Sequence, residues 1–528
     1  MAVPADPAID EDEEEHVGPT HHPYAPSHDE FFDLSTTVDP SYIISLIRKL
    51  LPLDSASVIE AASHGPNQGS LTHNTQEGAA SSAPVSTDKN LKSSSKNKSE
   101  NMDVDGSGEF SHRQGEYESG DDGDGFEHSS VSVGQNAWEE YGCILWDLAA
   151  SKTHAELMVE NLMLEVLLAN LTVCKSERVT EISIGIIGNL ACHEVPRKRI
   201  FSTDGLMGII LDKLFLDDPQ CLCETCRLLT VGLQSGESIT LAETLQSEHI
   251  LRQILWIAEN TLNLQLLEKS IGLILAILES QQKVVDILIP PMMKLGLANI
   301  LINLLTFEIS KLLDERIPER YSILELILRA IEALSVMDDH SQEVCSSKEL
   351  FQLICNLVKF PDKVEVGNCC VTAAVLIANM LSDVADHASE ISQDLCLLGG
   401  LLDIFPYASD DVEARNALWS VIARILIRIQ TEMSPSSVYH YVSVLVKKID
   451  LIEDELLNEQ VDSGHEQERL SCPGSTADAR KTSLRRIISI LNQWTVAKEN
   501  AENNMNAEGS VSETDLKRLL DCCHKFSK

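Results

Sequence analysis

The 528-residue chain has few aromatic side chains, at 5%, and little positive charge. Its 41 Lys and Arg residues stand against 82 Asp and Glu, a formal net charge of −41. It also lacks any apolar run near the ~18 residues that a membrane crossing needs. The best attempt, Ile271 to Leu278, stops at Glu279-Ser-Gln-Gln. The acidic excess rules out nucleic-acid binding through overall charge, which requires a local surplus of Lys and Arg. No direct nucleic-acid or membrane partner is expected. The N-terminus runs from Met1-Ala-Val-Pro into acidic Asp10-Glu-Asp-Glu-Glu-Glu15, the reverse of a basic, then apolar, signal peptide. There is no nucleophile elbow, phosphate-binding loop, dinucleotide fingerprint or His-Glu-x-x-His helix. The expectation is therefore no enzyme, with no catalytic, cofactor-binding or metal-ligating set.

What is present is a hydrophobic content of 43%, too high for a wholly disordered protein. The 14 cysteines follow no regular spacing and read as reduced thiols, mostly core fillers, in a nuclear and/or cytoplasmic protein. Residues 1–137 are expected to form a largely disordered acidic region. They hold 25 acidic and 7 basic residues, so −18 of the −41 lies there. One island interrupts this region. In Ser41-Tyr-Ile-Ile-Ser-Leu-Ile-Arg-Lys-Leu-Leu51 the apolar residues share a broad face, Asp39-Pro40 supplies a cap and a first-turn proline, and Pro52 closes the segment. This predicts a helix over 39–51, docked on the rest of the protein because its apolar face would otherwise be exposed. A second short helix is expected from Ser55 to Ala62.

From 138 to 432 the pattern is helical and repetitive. An apolar helix, a short polar linker and a longer apolar helix recur about six times. The opening helices start at Leu162, Gly205, His249, Gly296, Glu349 and Gly400, which are 43, 44, 47, 53 and 51 residues apart. That is near the ~40–47 residues of armadillo or HEAT units. The longer helices carry the core stripe, as in Leu222, Cys226, Leu229 and Leu233, or Ala414, Leu418, Val421, Ile425 and Ile429. A single unit cannot bury its own apolar faces, whereas stacked units form one continuous core. The fold class is all-α: a right-handed α-solenoid of armadillo/HEAT-like repeats. Residues 433–528 are expected to add C-terminal helices around a polar loop at 458–478.

Three segments resemble the serum amyloid A-like family. They are Glu139-Glu-Tyr-Gly-Cys-Ile-Leu-Trp-Asp-Leu148, Glu181-Ile-Ser-Ile-Gly-Ile-Ile-Gly-Asn-Leu-Ala-Cys192, and Leu216-Asp-Asp-Pro219 with Glu224-Thr-Cys-Arg-Leu-Leu229. Ser35-Thr-Thr-Val38 resembles that family's N-terminal segment. The resemblance is strongest over 138–235, fainter to about 430 and poor beyond. It implies an armadillo-type fold and a eukaryotic, nuclear, non-enzymatic protein linked to cell proliferation. It carries no catalytic residues.

Candidate binding residues lie on the longer helices. Asn189 in Ile187-Gly-Asn-Leu-Ala191 and Asn379 in Ile377-Ala-Asn-Met-Leu381 resemble the asparagines with which armadillo proteins hold an extended peptide. A carboxamide satisfies both a backbone donor and a backbone acceptor. One turn earlier stand Gly185 and Val375 rather than Trp, which favours the alternative of hydrogen bonding inside a helix or between repeats. Trp419 and Arg424 complete the candidate groove, while Trp146 and Trp256 read as packing residues. Cys221, Cys223 and Cys226 have a metal-like spacing but read as buried thiols. Asp103 to Gln114 resembles a calcium loop without its final Glu or its flanking helices. Basic clusters stand at Lys92–Lys98, Arg197–Arg199, Arg480-Lys481 and Arg485-Arg486, the last pair expected to face water. The resulting expectation is a monomeric scaffold for protein partners. The alternative is a chaperone-like binder of basic proteins acting through Asp10–Glu15 and Glu116–Glu127. An enzyme without a recognisable motif is the weaker alternative.

Overall fold

The computed structural model describes residues 38–52, 127–384, 386–429, 434–462, 476–501 and 511–527. The expected helix at Ser55–Ala62, the calcium-like loop at Asp103–Gln114, the Lys92–Lys98 cluster and the acidic Asp10–Glu15 lie outside them. The described residues form α-helices and two short 3-10 turns, with no strand among them.

Helix α1 (Pro40–Lys49) and helix α2 (Glu127–Leu148) precede six three-helix units. The first unit is α3 (Lys152–Glu160), α4 (Met163–Val173) and α5 (Glu177–Ala191). The second is α6 (Glu194–Ser202), α7 (Leu206–Asp212) and α8 (Pro219–Leu233). The third is α9 (Ser238–Leu245), α10 (Glu248–Asn260) and α11 (Leu264–Leu278). The fourth is α12 (Gln282–Lys294), α13 (Leu297–Asp314) and α14 (Pro318–Ser335). The fifth is α15 (Ser341–Cys345), α16 (Lys348–Val358) and α17 (Gly367–Asp383). The sixth is α18 (His387–Ile391), α19 (Leu395–Ile404) and α20 (Val412–Arg428). Helices α21 (Pro435–Lys447), α22 (Ile449–Asp462), α23 (Thr476–Ala501) and α24 (Glu513–Phe526) follow.

The units thus hold three helices rather than the two expected from the pattern. The extra first helix is short in five units, from 5 to 9 residues, while α12 runs to 13 and carries Pro290 and Pro291. The short ones offer too few turns for an apolar stripe to recur, so periodicity does not register them. The connection into the second helix is a left-handed turn in three units, at Leu162 (φ 63°), Gly205 (φ 77°) and Gly296 (φ 94°). Glycine takes this conformation without penalty; Leu162 does not.

The third helices begin with local start signals. Ser176, Asp218, Asn263 and Asp411 each accept a bond from a first-turn N–H of α5, α8, α11 and α20, and Pro219 and Pro318 open α8 and α14. Each third helix then packs on the next, from α2 through α5, α8, α11, α14, α17 and α20 to α23. This ladder is the backbone of an α-solenoid. Its core is Leu, Ile, Val and Ala, which explains how so few aromatics suffice.

Helix α1 caps the N-terminal end. Asp39 accepts from Ser41 N, and Ile43, Leu46, Ile47 and Leu50 are buried against α2 and α3. At roughly 1.5–3 kcal/mol per buried large apolar side chain, these four contribute on the order of 6–12 kcal/mol to docking, as an upper figure. The C-terminal carbonyl of α1 is satisfied across the interface. Leu50 O accepts from Trp138 Nε1 at 3.1 Å and from Asn170 Nδ2 at 2.8 Å. Lys49 lies over the Tyr141 ring. No single helix among the described residues is long and apolar enough to cross a membrane.

Candidate protein-binding surface

Three successive third helices, α14, α17 and α20, each keep one stripe that reaches solvent. On α14 the stripe is Ser322, Glu325, Arg329, Glu332 and Val336; on α17 it is Asn368, Thr372, Val375, Asn379 and Ser382. On α20 it is Glu413, Asn416, Ser420, Arg424 and Ile427. The spacing of three or four residues keeps these side chains on one face. These three helices stack in succession, so their stripes lie side by side, whereas residues 182–188 of α5 and 273–278 of α11 are buried throughout.

Asn189, partly exposed near the end of α5, is committed to both neighbours. Its Nδ2 donates to Trp146 O at 2.9 Å, and its Oδ1 accepts from Arg227 Nη1 at 3.1 Å. Trp146 is two residues before the end of α2, where carbonyls have no partner within the helix. Asn189 therefore caps α2 from outside. Two glycines make the close approach possible. A Cβ on Gly185 would stand 2.2 Å from the Trp146 ring, and one on Gly188 would stand 2.6 Å from Arg227 Nη2. Arg227 completes the cluster through Gly185 O at 3.1 Å and through Glu224. Arg227 was not singled out in the sequence; its partners lie about one repeat away, and its signal was only its place in Glu224-Thr-Cys-Arg.

The same device recurs along the chain. Lys213 Nζ donates to Leu171 O, Ser280 Oγ to Leu233 O and Tyr441 Oη to Ser392 O, each to a carbonyl at a helix end one unit back. Asn379 Nδ2 donates to Ser335 Oγ at 3.0 Å, so it too links two successive third helices.

The other candidates separate. Trp419 is 2% exposed, lies tilted against the Phe405 ring and donates from Nε1 to Glu455 at 3.3 Å. It is a core residue, not a groove contact, because its indole is aimed at the C-terminal helices. Trp256, expected to pack, is instead 54% exposed on α10. Trp146 does pack, on Gly185. Arg486 does not face water; it is half-buried and donates to Leu426 O and Ile429 O, capping α20. Arg485 is exposed.

Burial sets the charge states. It pushes the Cys226 thiol up to about 12 and Cys223 to about 11, and raises Cys221, whose Sγ donates to Glu177 O at 3.2 Å. These three thiols serve the core of α8. On the strip, burial raises Glu332, and Asp411, Glu279 and Glu413 add to the shift against the opposing charge of Arg329. Arg424 is lowered by burial and by Arg428.

Six stacked three-helix units and their third-helix ladder define an armadillo-like repeat protein. It is homologous to the proteins named SAAL1. It is 24% identical over 300 residues to Protein saal1 of Danio rerio, covering 53% of this chain and 62% of that protein. It is 31% identical over 129 residues to Protein SAAL1 of Homo sapiens, covering 24% and 27%. The matches thus span less than two thirds of the length of these relatives. No protein-family model matches the chain. Among solved structures, a designed armadillo repeat protein aligns over 47% of this chain and 94% of its own, at 13% identity and a TM-score of 0.37. An engineered protein aligns over 74% and 95%, at 12% identity and a TM-score of 0.37.

Proposed function

We propose that this protein is a non-enzymatic scaffold that holds protein partners along the open strip of its third-helix ladder. The observation that supports this reading is the strip itself. It spans α14, α17 and α20, it is mixed in charge and apolar character, and the ladder beneath it is tied from unit to unit by side-chain hydrogen bonds. Such a surface suits an extended or helical protein segment, with affinity concentrated in a few anchors. The reading keeps the scaffold monomeric and places it in the nucleus or cytoplasm. A link to cell proliferation rests on the family resemblance alone.

The test is affinity purification with mass spectrometry of the full chain and of Thr372→Arg, which puts a bulky cation on the strip at a part-exposed position whose hydroxyl bonds Asn368 O of its own helix. Thr372→Arg is expected to keep its thermal midpoint and lose partners. An unchanged partner set would refute the ladder reading. If shortening the acidic stretch before residue 127 removed the partners instead, the chaperone-like reading through acidic segments would replace it.

A further inference from the structure

We infer that the edge of the solenoid where second helices hand over to third helices is a docking rail for a basic, amphipathic α-helix of a partner protein. It does not depend on the strip of α14, α17 and α20 having a partner of its own. Every unit leaves a large apolar side chain in the open at this handover: Val173, Phe215, Leu262, Leu313, Val364 and Val412, from 39% to 94% exposed. Single exposed apolar residues are ordinary on a protein surface. Their recurrence within five residues of the start of every third helix is not. In the handovers from a third helix to the next unit, Val336 is the one large apolar side chain exposed among the described residues.

Successive third helices start side by side, so these residues share one edge. Cys221 Sγ of α8 donates to Glu177 O of α5 at 3.2 Å, and Cys369 Sγ of α17 to Tyr321 O of α14 at 3.9 Å. Arg316, just after α13, pairs at 2.6 Å with Asp362, just after α16.

Charge selects the partner. Beside the apolar residue, each of the first five units carries a carboxylate left over. Glu177, Asp217, Glu259, Asp314 and Glu365 are exposed, and their side chains make no ion pair or hydrogen bond among the described residues. The nearby cations are spent: Arg178 on Glu181, Lys311 on Glu315, Arg316 on Asp362 and Lys213 on Leu171 O, with Lys175 the exception. The edge therefore offers apolar anchors with unmatched negative charge beside them. That complements a surface both apolar and basic, whereas a second copy of this chain would bring like charge.

Spacing selects the conformation. Packed helices lie about 8–10 Å apart, so the anchors repeat at about that interval. An α-helix climbs about 1.5 Å per residue and returns nearly to the same face after seven residues, about 10.5 Å on. An extended segment returns to one face every ~6.6 Å and falls out of step. The fitting partner is a helix with an apolar residue at every seventh position and Lys or Arg one turn away.

The experiment uses labelled synthetic peptides of four heptads and fluorescence anisotropy on the full chain. The first peptide has Leu at every seventh position and Lys one turn to either side. The second has the same composition with Leu at every fifth position, and the third has Glu in place of Lys. The first should bind about tenfold or more tighter than the others. Leu262→Ser with Leu313→Ser should weaken it about tenfold or more, because two large apolar contacts are lost. Glu259→Lys with Asp314→Lys should do so through charge, and keeps the test decisive if the first pair fails to fold. Thr372→Arg, on the strip, should leave peptide binding unchanged. Equal binding of the first two peptides, or binding that survives both pairs of substitutions, overturns the inference. Loss of the peptide in Thr372→Arg overturns it too and moves the contact to the strip. A rail-dependent peptide beside an unchanged partner set for Thr372→Arg keeps the rail and sinks the strip reading.

Discussion

Replacing Asn189 with Ala should loosen the joint between α2 and α5. The side chain spans two bonds, one to the unpaired C-terminal carbonyl of Trp146 and one from Arg227. A neutral hydrogen bond contributes about 1 kcal/mol net, and one to a charged group about 1.5–3 kcal/mol. Arg227 keeps Glu224 and Gly185 O, so the second loss is partial. Ala gains about 0.5 kcal/mol in helix propensity over Asn. The net expectation is a loss of about 1–2 kcal/mol. Urea unfolding followed by circular dichroism gives the total, and amide exchange localises it, since a repeat array need not unfold in one step. Faster exchange should concentrate at the end of α2 and in α5. A cycle with Arg227→Ala should show a coupling of about 0.5–1.5 kcal/mol between the two sites. If Asn189→Ala leaves stability within about 0.5 kcal/mol and exchange unchanged, the capping argument is wrong. Loss of a partner at unchanged stability would instead make Asn189 a ligand contact.

Two further perturbations probe strain and charge. Leu162 sits at φ 63° and is 61% exposed, so Leu162→Gly should relieve roughly 1–2 kcal/mol of backbone strain. The greater freedom of unfolded Gly takes back part of this, leaving a gain of about 0.5–1 kcal/mol, read as a raised urea midpoint; a lowered midpoint would refute the strain. Glu332 titrates higher in the folded chain than in the unfolded one, chiefly through burial. Its contribution to stability is therefore full below the ordinary Glu value of about 4.3 and is lost as pH rises through the raised folded value. Glu332→Gln should raise the thermal midpoint at pH 7 and change it less at pH 4; the opposite order would refute the sign.

Much of the solenoid can be read in advance because its second and third helices are long enough for the apolar stripe to repeat. Leu222, Cys226, Leu229 and Leu233 on α8 are all buried, as their spacing implies. Five of the first helices escape because they are short, and α12 because Pro290-Pro291 inside it reads as a helix breaker. The destinations of polar side chains escape for a different reason. Asn189 and Asn379 meet partners 43 and 44 residues away, so their bonds depend on how one unit sits on the next, which local spacing does not encode. Trp419 looked like a groove residue because it shares α20 with Arg424, yet a difference of five residues turns it to the opposite side of the helix, into the C-terminal core. Arg424 itself donates to Ser382 of α17, which no pattern along α20 reveals.

The docking of α1 changes the connectivity of the acidic stretch that precedes the ladder. Residues 53–126 leave from Pro52, at the end of a helix packed on α2, and return at Glu127, the start of α2 itself. Both ends of this stretch are thus fixed at described residues, and its backbone is what joins α1 covalently to the solenoid. A single backbone break within it removes no residue, but it turns α1 from a part of the chain into a separate ligand, held by four apolar side chains and released on dilution.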